Sequence, residues 1–310
     1  MHEGSRKAIA AAFVANLGIA IAKFVAFLAT GAASMLAESI HSLADTGNQG
    51  LLFLGGKRAR RAPSESHPFG HGRERYFWAF VVALVLFSLG ALFATYEGIE
   101  KLVHPHEIES PEWAFGVLTI AIVLESFSLR TAVHEAAKVR GSKSWWQFIR
   151  TSKSPELPVV LLEDIGALTG LVFALLGVTT ATITDEPAFD AIGSISIGLL
   201  LGVIAVLLAI ETKSLLMGEG ASPDEVDAMT KAIDTSPDVN RLIHLRTEYL
   251  GPEDLLVAIK VDFTAAADRQ VNTSIDALEA RIREAIPHAT LIYVEPDEFR
   301  PDHDPPKTRA

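Results

Sequence analysis

Residues 37–49 read AESIHSLADTGNQ and interrupt an otherwise apolar stretch. Glu38, His41, Asp45 and Asn48 recur at intervals of three, four and three, which on a helix is one narrow stripe. His41 and Asp45 can hold one ion between them. Imidazole nitrogen with carboxylate oxygen suits Zn2+ or its first-row neighbours better than Mg2+ or Ca2+. Each such group at the centre of a membrane span costs about 2.5 kcal/mol or more, so metal or proton traffic is the default explanation. Helix–helix gluing suffices for Asn48. Glu38 lies nearer one end and suits a mouth position or a proton relay.

A second cluster lies at 159–170, VVLLEDIGALTG. Glu163 and Asp164 are adjacent, about 100° apart on a helix, so they do not face one point. Gly166 and Gly170 form a small-residue face that admits a close neighbour. If that neighbour carries the 38–48 stripe, one carboxylate completes a site with three protein ligands, leaving the fourth position to water or the other carboxylate.

The elements that must position these groups are membrane helices. Of 310 residues, 49% are hydrophobic, and the mean hydropathy is +0.28. Six stretches, roughly 8–30, 34–56, 77–102, 112–134, 156–183 and 188–216, are long enough to cross a bilayer core of about 30 Å. Loops 57–75 and 130–153 are rich in Lys and Arg while the alternate loops are not, which predicts that both loops and both termini are cytoplasmic. Arg130 reads as a snorkelling group at a helix end. Trp145 and Trp146 read as an interfacial anchor. The N-terminal apolar run is too long for a signal h-region, so no cleavable signal is expected.

The absence of cysteine excludes disulfides, thiolate metal sites and cysteine nucleophiles, and disfavours Cu(I) as cargo. H-E-x-x-H, G-x-S-x-G and P-loop spacings are missing, which argues against an enzyme. Net charge is −11, and the acidic excess sits after residue 217, which argues against nucleic-acid binding there. Ser222-Pro223-Asp224-Glu225 predicts a helix start. Leu242–Leu250 and Leu255–Phe263 alternate as strands around Gly251–Asp254, residues 271–286 are amphipathic, and Thr290–Val294 is a last strand. The expectation is a transmembrane domain over 1–217, a two-layer αββαβ domain over 218–298 and a disordered tail over 299–310.

These residues resemble the cation diffusion facilitator family from about residue 7 to 298. The resemblance rests on SMLAESIHSLADTGNQ, HPFGHGRER, DAIGSISIGLLL, LLMGEG, LIHLRTEYLG and IYVEPD. It implies an α-helical polytopic membrane protein of six spans with a ferredoxin-like α+β cytoplasmic domain. It also implies a homodimer in the inner (plasma) membrane, in contact with lipid. The implied activity is Zn2+/H+ antiport out of the cytoplasm by alternating access, without a cofactor.

By position, His41 and Asp45 match the family's first ligand pair, and Asp164 matches the second member of the other pair. The first member falls on Val160, which cannot bind metal, and Glu163 is the substitute at hand. This Glu-Asp form resembles a branch that includes mitochondrial and nuclear-associated animal zinc transporters. His67 and His71 match an auxiliary loop site. The family's tail site looks lost, because its histidine positions fall on Ile243, Lys260 and Tyr293. Glu295 is then expected to pair with Lys260, and His244 to be a solvated strand-edge group. The alternatives are a Mn2+/Fe2+ exporter, a sodium-coupled exchanger of the same fold, or a non-transporting membrane scaffold.

Overall fold

The computed structural model describes residues 3–30, 33–105, 111–264 and 270–300. Within the helices some side chains, those of Glu38 and His41 among them, lie outside the described set. Most of the tail expected to be disordered, from residue 301 on, lies outside it too. The chain forms two compact units, Met1–Arg58 with Glu74–Lys213, and Ala59–Arg73 with Ser214–Ala310.

The first unit is helical. Its elements are α1 (Glu3–Thr30), α2 (Ala33–Arg58), α3 (Glu74–Val85), a π-helical turn (Leu86–Ala91), α4 (Leu92–Val103), α5 (Pro111–Arg140), α6 (Trp145–Thr151) and α7 (Glu156–Thr184). Helix α8 (Ala188–Met217) closes the series and runs into the second unit. Among the described residues four stretches are long and apolar enough to cross a membrane: Glu74–Val103, Ala114–Arg140, Glu156–Thr184 and Ala188–Met217. Helices α1 and α2 have 28 and 26 residues, about 40 Å each at 1.5 Å per residue. The polar stripe of α2 and its Lys57-Arg58 end dilute its apolar character.

Helix α5 continues through the expected basic loop to Arg140, so Arg130 stands on the body of the helix and not at its end. The rest of that loop is α6, whose capping box joins Ser144 and Gln147. Trp145 and Trp146 open α6, and the guanidinium groups of Arg140 and Arg150 lie 4.6 and 5.9 Å from their ring centroids.

Close packing sets the helix spacing. The N-terminal part of α7 is buried through Leu157, Val159, Val160 and Leu161, in one core with Leu52, Ala79, Val82 and Leu208. Among the described residues the glycine face of α7 lies against α8. A Cβ on Gly166 would lie 2.7 Å from Ile204, and one on Gly170 would lie 3.5 Å from Ile197, both on α8. Gly170 is seven residues beyond Glu163, about 10 Å along the axis, and crossing helices exchange neighbours over that distance.

Helices α4 and α8 approach even more tightly. A Cβ on Gly98 would lie 2.8 Å from Ile195 N and 2.9 Å from Ala191 O, and one on Gly198 would lie 2.7 Å from Thr95 N and 2.9 Å from Ala91 O. These are backbone atoms that cannot step aside. Gly98→Ala and Gly198→Ala are therefore expected to destabilise the protein by about 1–3 kcal/mol each. Gly116→Ala, with open space around the added carbon, should be neutral or slightly stabilising. Thermal unfolding in detergent reads the contrast, and equal melting temperatures for all three variants would refute the seam.

The second unit contains α9 (Pro223–Asp234), β1 (Val239–Gly251), β2 (Asp254–Phe263), α10 (Val271–Ala285) and β3 (Ala289–Pro296). The sheet order is β1-β2-β3, antiparallel between β1 and β2 and parallel between β2 and β3. Alternate residues of β2, Leu255, Val257, Ile259 and Val261, are buried with Met229 and Ile233 of α9 and Leu278 and Ile282 of α10. The loop 59–73 packs on this unit. A Cβ on Gly72 would lie 2.6 Å from Leu250 O, and Arg73 pairs with Glu248.

A polar knot closes the start of α9. Tyr249 Oη donates to Glu225 Oε1 at 2.7 Å, His288 Nε2 lies 2.9 Å from the same oxygen, and Ser222 N–H and Oγ donate to Oε2. Burial alone would raise the Glu225 carboxyl, but these hydrogen bonds and the nearby imidazole outweigh it and hold the group below its usual value. A depressed carboxylate contributes stability above its unfolded value, about 4.3, and that contribution is lost as pH falls through the folded value. Hydrogen-exchange protection of β1 and α9 in the full chain should fall on acidification, and by a smaller step in Glu225→Gln. An identical acid profile in the variant would remove Glu225 from the account.

Candidate metal and proton site

Helix α2 carries the stripe, and α7 carries the acidic pair. Glu163 and Asp164 are both buried, at 5% and 1% exposure, and they face different neighbours. Asn48 Nδ2 donates to Glu163 Oε1 at 3.4 Å and Gln49 Nε2 to Glu163 Oε2 at 2.5 Å. Glu163 also feels the charges of Asp45 and Asp164. Asp164 turns to α5, where Ser128 Oγ donates to its Oδ2 at 2.9 Å. The angular offset expected for adjacent helical residues is realised, and it sends one carboxylate to each neighbour.

Asp45 is half-buried on α2. Asn48 and Gln49, one turn further, are fully buried. Their amide nitrogens serve Glu163, while Asn48 Oδ1 and Gln49 Oε1 are buried with no hydrogen-bond partner among the described residues. Val160, one turn before Asp164, is fully buried in the apolar core. Among the described residues no three His, Asp or Glu side chains gather as a metal cluster, with the imidazole of His41 outside the described set. Gln49 and Ser128 were not singled out from the sequence. Gln49 ends the quoted stripe and could have been noticed there, whereas nothing in the local pattern of α5 marks Ser128.

The loop histidines come together. His67 and His71 have ring centroids 4.5 Å apart, on a turn closed by His67 N to Ser64 O and Gly70 N to His67 O, both at 3.0 Å. Gly70 takes φ +83°, a conformation that favours glycine. Ser66 Oγ lies 3.0 Å from His67 Nδ1. In the second unit Ile243 is buried, Lys260 pairs with Glu295 at 3.6 Å and with Asp297 at 2.6 Å, and His244 sits half-exposed on the edge strand β1.

The arrangement brings ionisable and amide groups from two packed helices together in a buried setting, where charged groups are costly. Residues 9–217 match the cation efflux transmembrane domain. The mitochondrial proton-coupled zinc antiporter SLC30A9 of Mus musculus is 34% identical over 244 residues, 78% of this chain and 43% of its own length. Metal tolerance protein C4 of Arabidopsis thaliana is 28% identical over 261 residues, 84% of this chain and 57% of its own length. The magnetosome protein MamB of Magnetospira is 25% identical over 287 residues, 91% of this chain and 92% of its own length. The chain thus spans less than half the length of the mouse relative. With a buried acidic pair on α7 reaching α2 inside the matched region, the chain belongs to the cation efflux family of multi-pass membrane transporters.

Proposed function

We propose that the chain exports a divalent cation, Zn2+ foremost, from the cytoplasm in exchange for protons, by alternating access. The observation that carries this reading is Glu163 of α7 seated against the α2 stripe, within range of the Asp45 charge. The mouse relative's name, a proton-coupled zinc antiporter, supports the cargo and the counter-ion. His41 and Asp45 hold the ion from α2, and one carboxylate of the Glu163–Asp164 pair completes the site from α7. Glu38 serves the mouth, and His67 with His71 forms an auxiliary loop site. Histidine suits exchange of metal for protons because its ordinary pKa lies near physiological pH. A tilt of α2 against α7 opens the site to the other side. Six spans in the inner membrane, both termini in the cytoplasm and a ferredoxin-like domain that pairs two copies complete the proposal.

A second reading keeps the fold and changes the cargo to Mn2+, Fe2+ or a sodium-coupled exchange. The oxygen-rich surroundings of Glu163 favour it, because oxygen donors suit harder cations. Liposomes loaded with a zinc dye and a pH dye separate the two. Zn2+ flux with opposed proton movement, unaffected by excess Mn2+, is the expected result. Mn2+ flux in preference to Zn2+ supports the second reading, and no flux of either ion supports a scaffold.

A further inference from the structure

We infer that Gln49, assisted by Asn48, is the positioning residue that turns Glu163 rather than Asp164 toward the cargo. This rests on the transport reading above. Adjacent residues on α7 cannot both face one neighbour, so something must select between them. Asp164 is committed to α5 through Ser128 Oγ at 2.9 Å. Glu163 is held on the α2 side by two amides, one at each carboxylate oxygen, with the shorter bond from Gln49 at 2.5 Å. Asp45 lies one helical turn before this clamp, about 5–6 Å along α2.

The chemistry of the clamp fits a cation carrier. A Lys or Arg would fix Glu163 equally well but would neutralise it. An amide orients the carboxylate through N–H groups and leaves its charge available. The same orientation leaves Asn48 Oδ1 and Gln49 Oε1 buried with no partner among the described residues. An unmet buried acceptor is destabilising. A pair of them beside a carboxylate is an arrangement that an arriving cation relieves.

The test uses the full-length protein in liposomes, with initial Zn2+ rates measured over a range of Zn2+ concentrations and melting temperatures recorded for each variant. Gln49→Leu should raise KM about tenfold, the lower end for losing a ligand's hydrogen-bond partner, and raise it more than it lowers kcat. Gln49→Met serves if Leu does not fold. Glu163→Gln should raise KM at least as far. The double variant Gln49→Glu with Glu163→Gln exchanges amide and carboxylate across the same contact and should recover part of the lost affinity. Ser128→Ala should raise KM less than Gln49→Leu does. A wild-type KM in Gln49→Leu, or an equal or larger effect of Ser128→Ala, overturns the inference. His41→Ala and Asp45→Ala run alongside. If both transport normally, the transport site itself is wrong. If they fail while Gln49→Leu keeps its KM, only the positioning role is lost.

Discussion

Asp45→Ala is expected to end cation transport while leaving the folded protein intact. Asp45 is the described carboxylate of the α2 stripe and acts on Glu163 across to α7. On the proposed transport reading, removing it takes away an oxygen ligand and part of the negative field that draws a dication into the membrane. Losing a partner that merely orients a ligand costs about 10–100-fold in affinity, and a ligand should cost more. Calorimetry of Zn2+ binding to the purified protein, together with flux into liposomes, measures both consequences. His41→Ala should fail in the same way. Wild-type rates from either variant would dismantle the site on α2, and a variant that binds Zn2+ normally but does not move it would shift Asp45 from binding to gating.

The second large effect is on stability. Arg75 at the start of α3 and Glu156 at the start of α7 are 4% and 1% exposed. They form a two-pronged pair, Arg75 Nε to Oε1 and Arg75 Nη2 to Oε2, the latter at 2.9 Å. Glu156 also sits in the first turn of its helix, where a carboxylate complements the dipole. Truncating either partner takes the two-pronged counter-charge away from a buried group, so Arg75→Ala or Glu156→Ala should lower stability by about 3–5 kcal/mol. Replacing both with apolar residues of similar size, Arg75→Met with Glu156→Leu, should recover most of that loss, because no charge is left uncompensated. Thermal unfolding in detergent follows the series. Single variants as stable as wild type, or a double variant worse than both, would show that the pair is not held as a buried ion pair.

The order of αββαβ elements in the second unit was legible because each element has a local cause. Ser222 and Glu225 cap α9, strand alternation runs through β2, and the turn between Gly251 and Asp254 closes the hairpin. The 38–48 stripe and the acidic pair were legible because ionisable residues in an apolar run are costly wherever they fall. Less legible was where a helix stops. Helix α5 runs on to Arg140, since the residues from Arg130 to Arg140 are good helix formers even where they are no longer apolar.

The residues alone pointed to the cation efflux family, to candidate ligands on α2 and α7, and to the angle that keeps Glu163 and Asp164 apart. The tertiary structure alone decided which neighbour each carboxylate meets. It sent Glu163 to Asn48 and Gln49, Asp164 to Ser128, and the Gly166–Gly170 face to α8. The reason is physical. Periodicity fixes directions around one helix axis, whereas the occupant of each direction depends on how neighbouring helices cross and pack, and that depends on side chains far away along the chain.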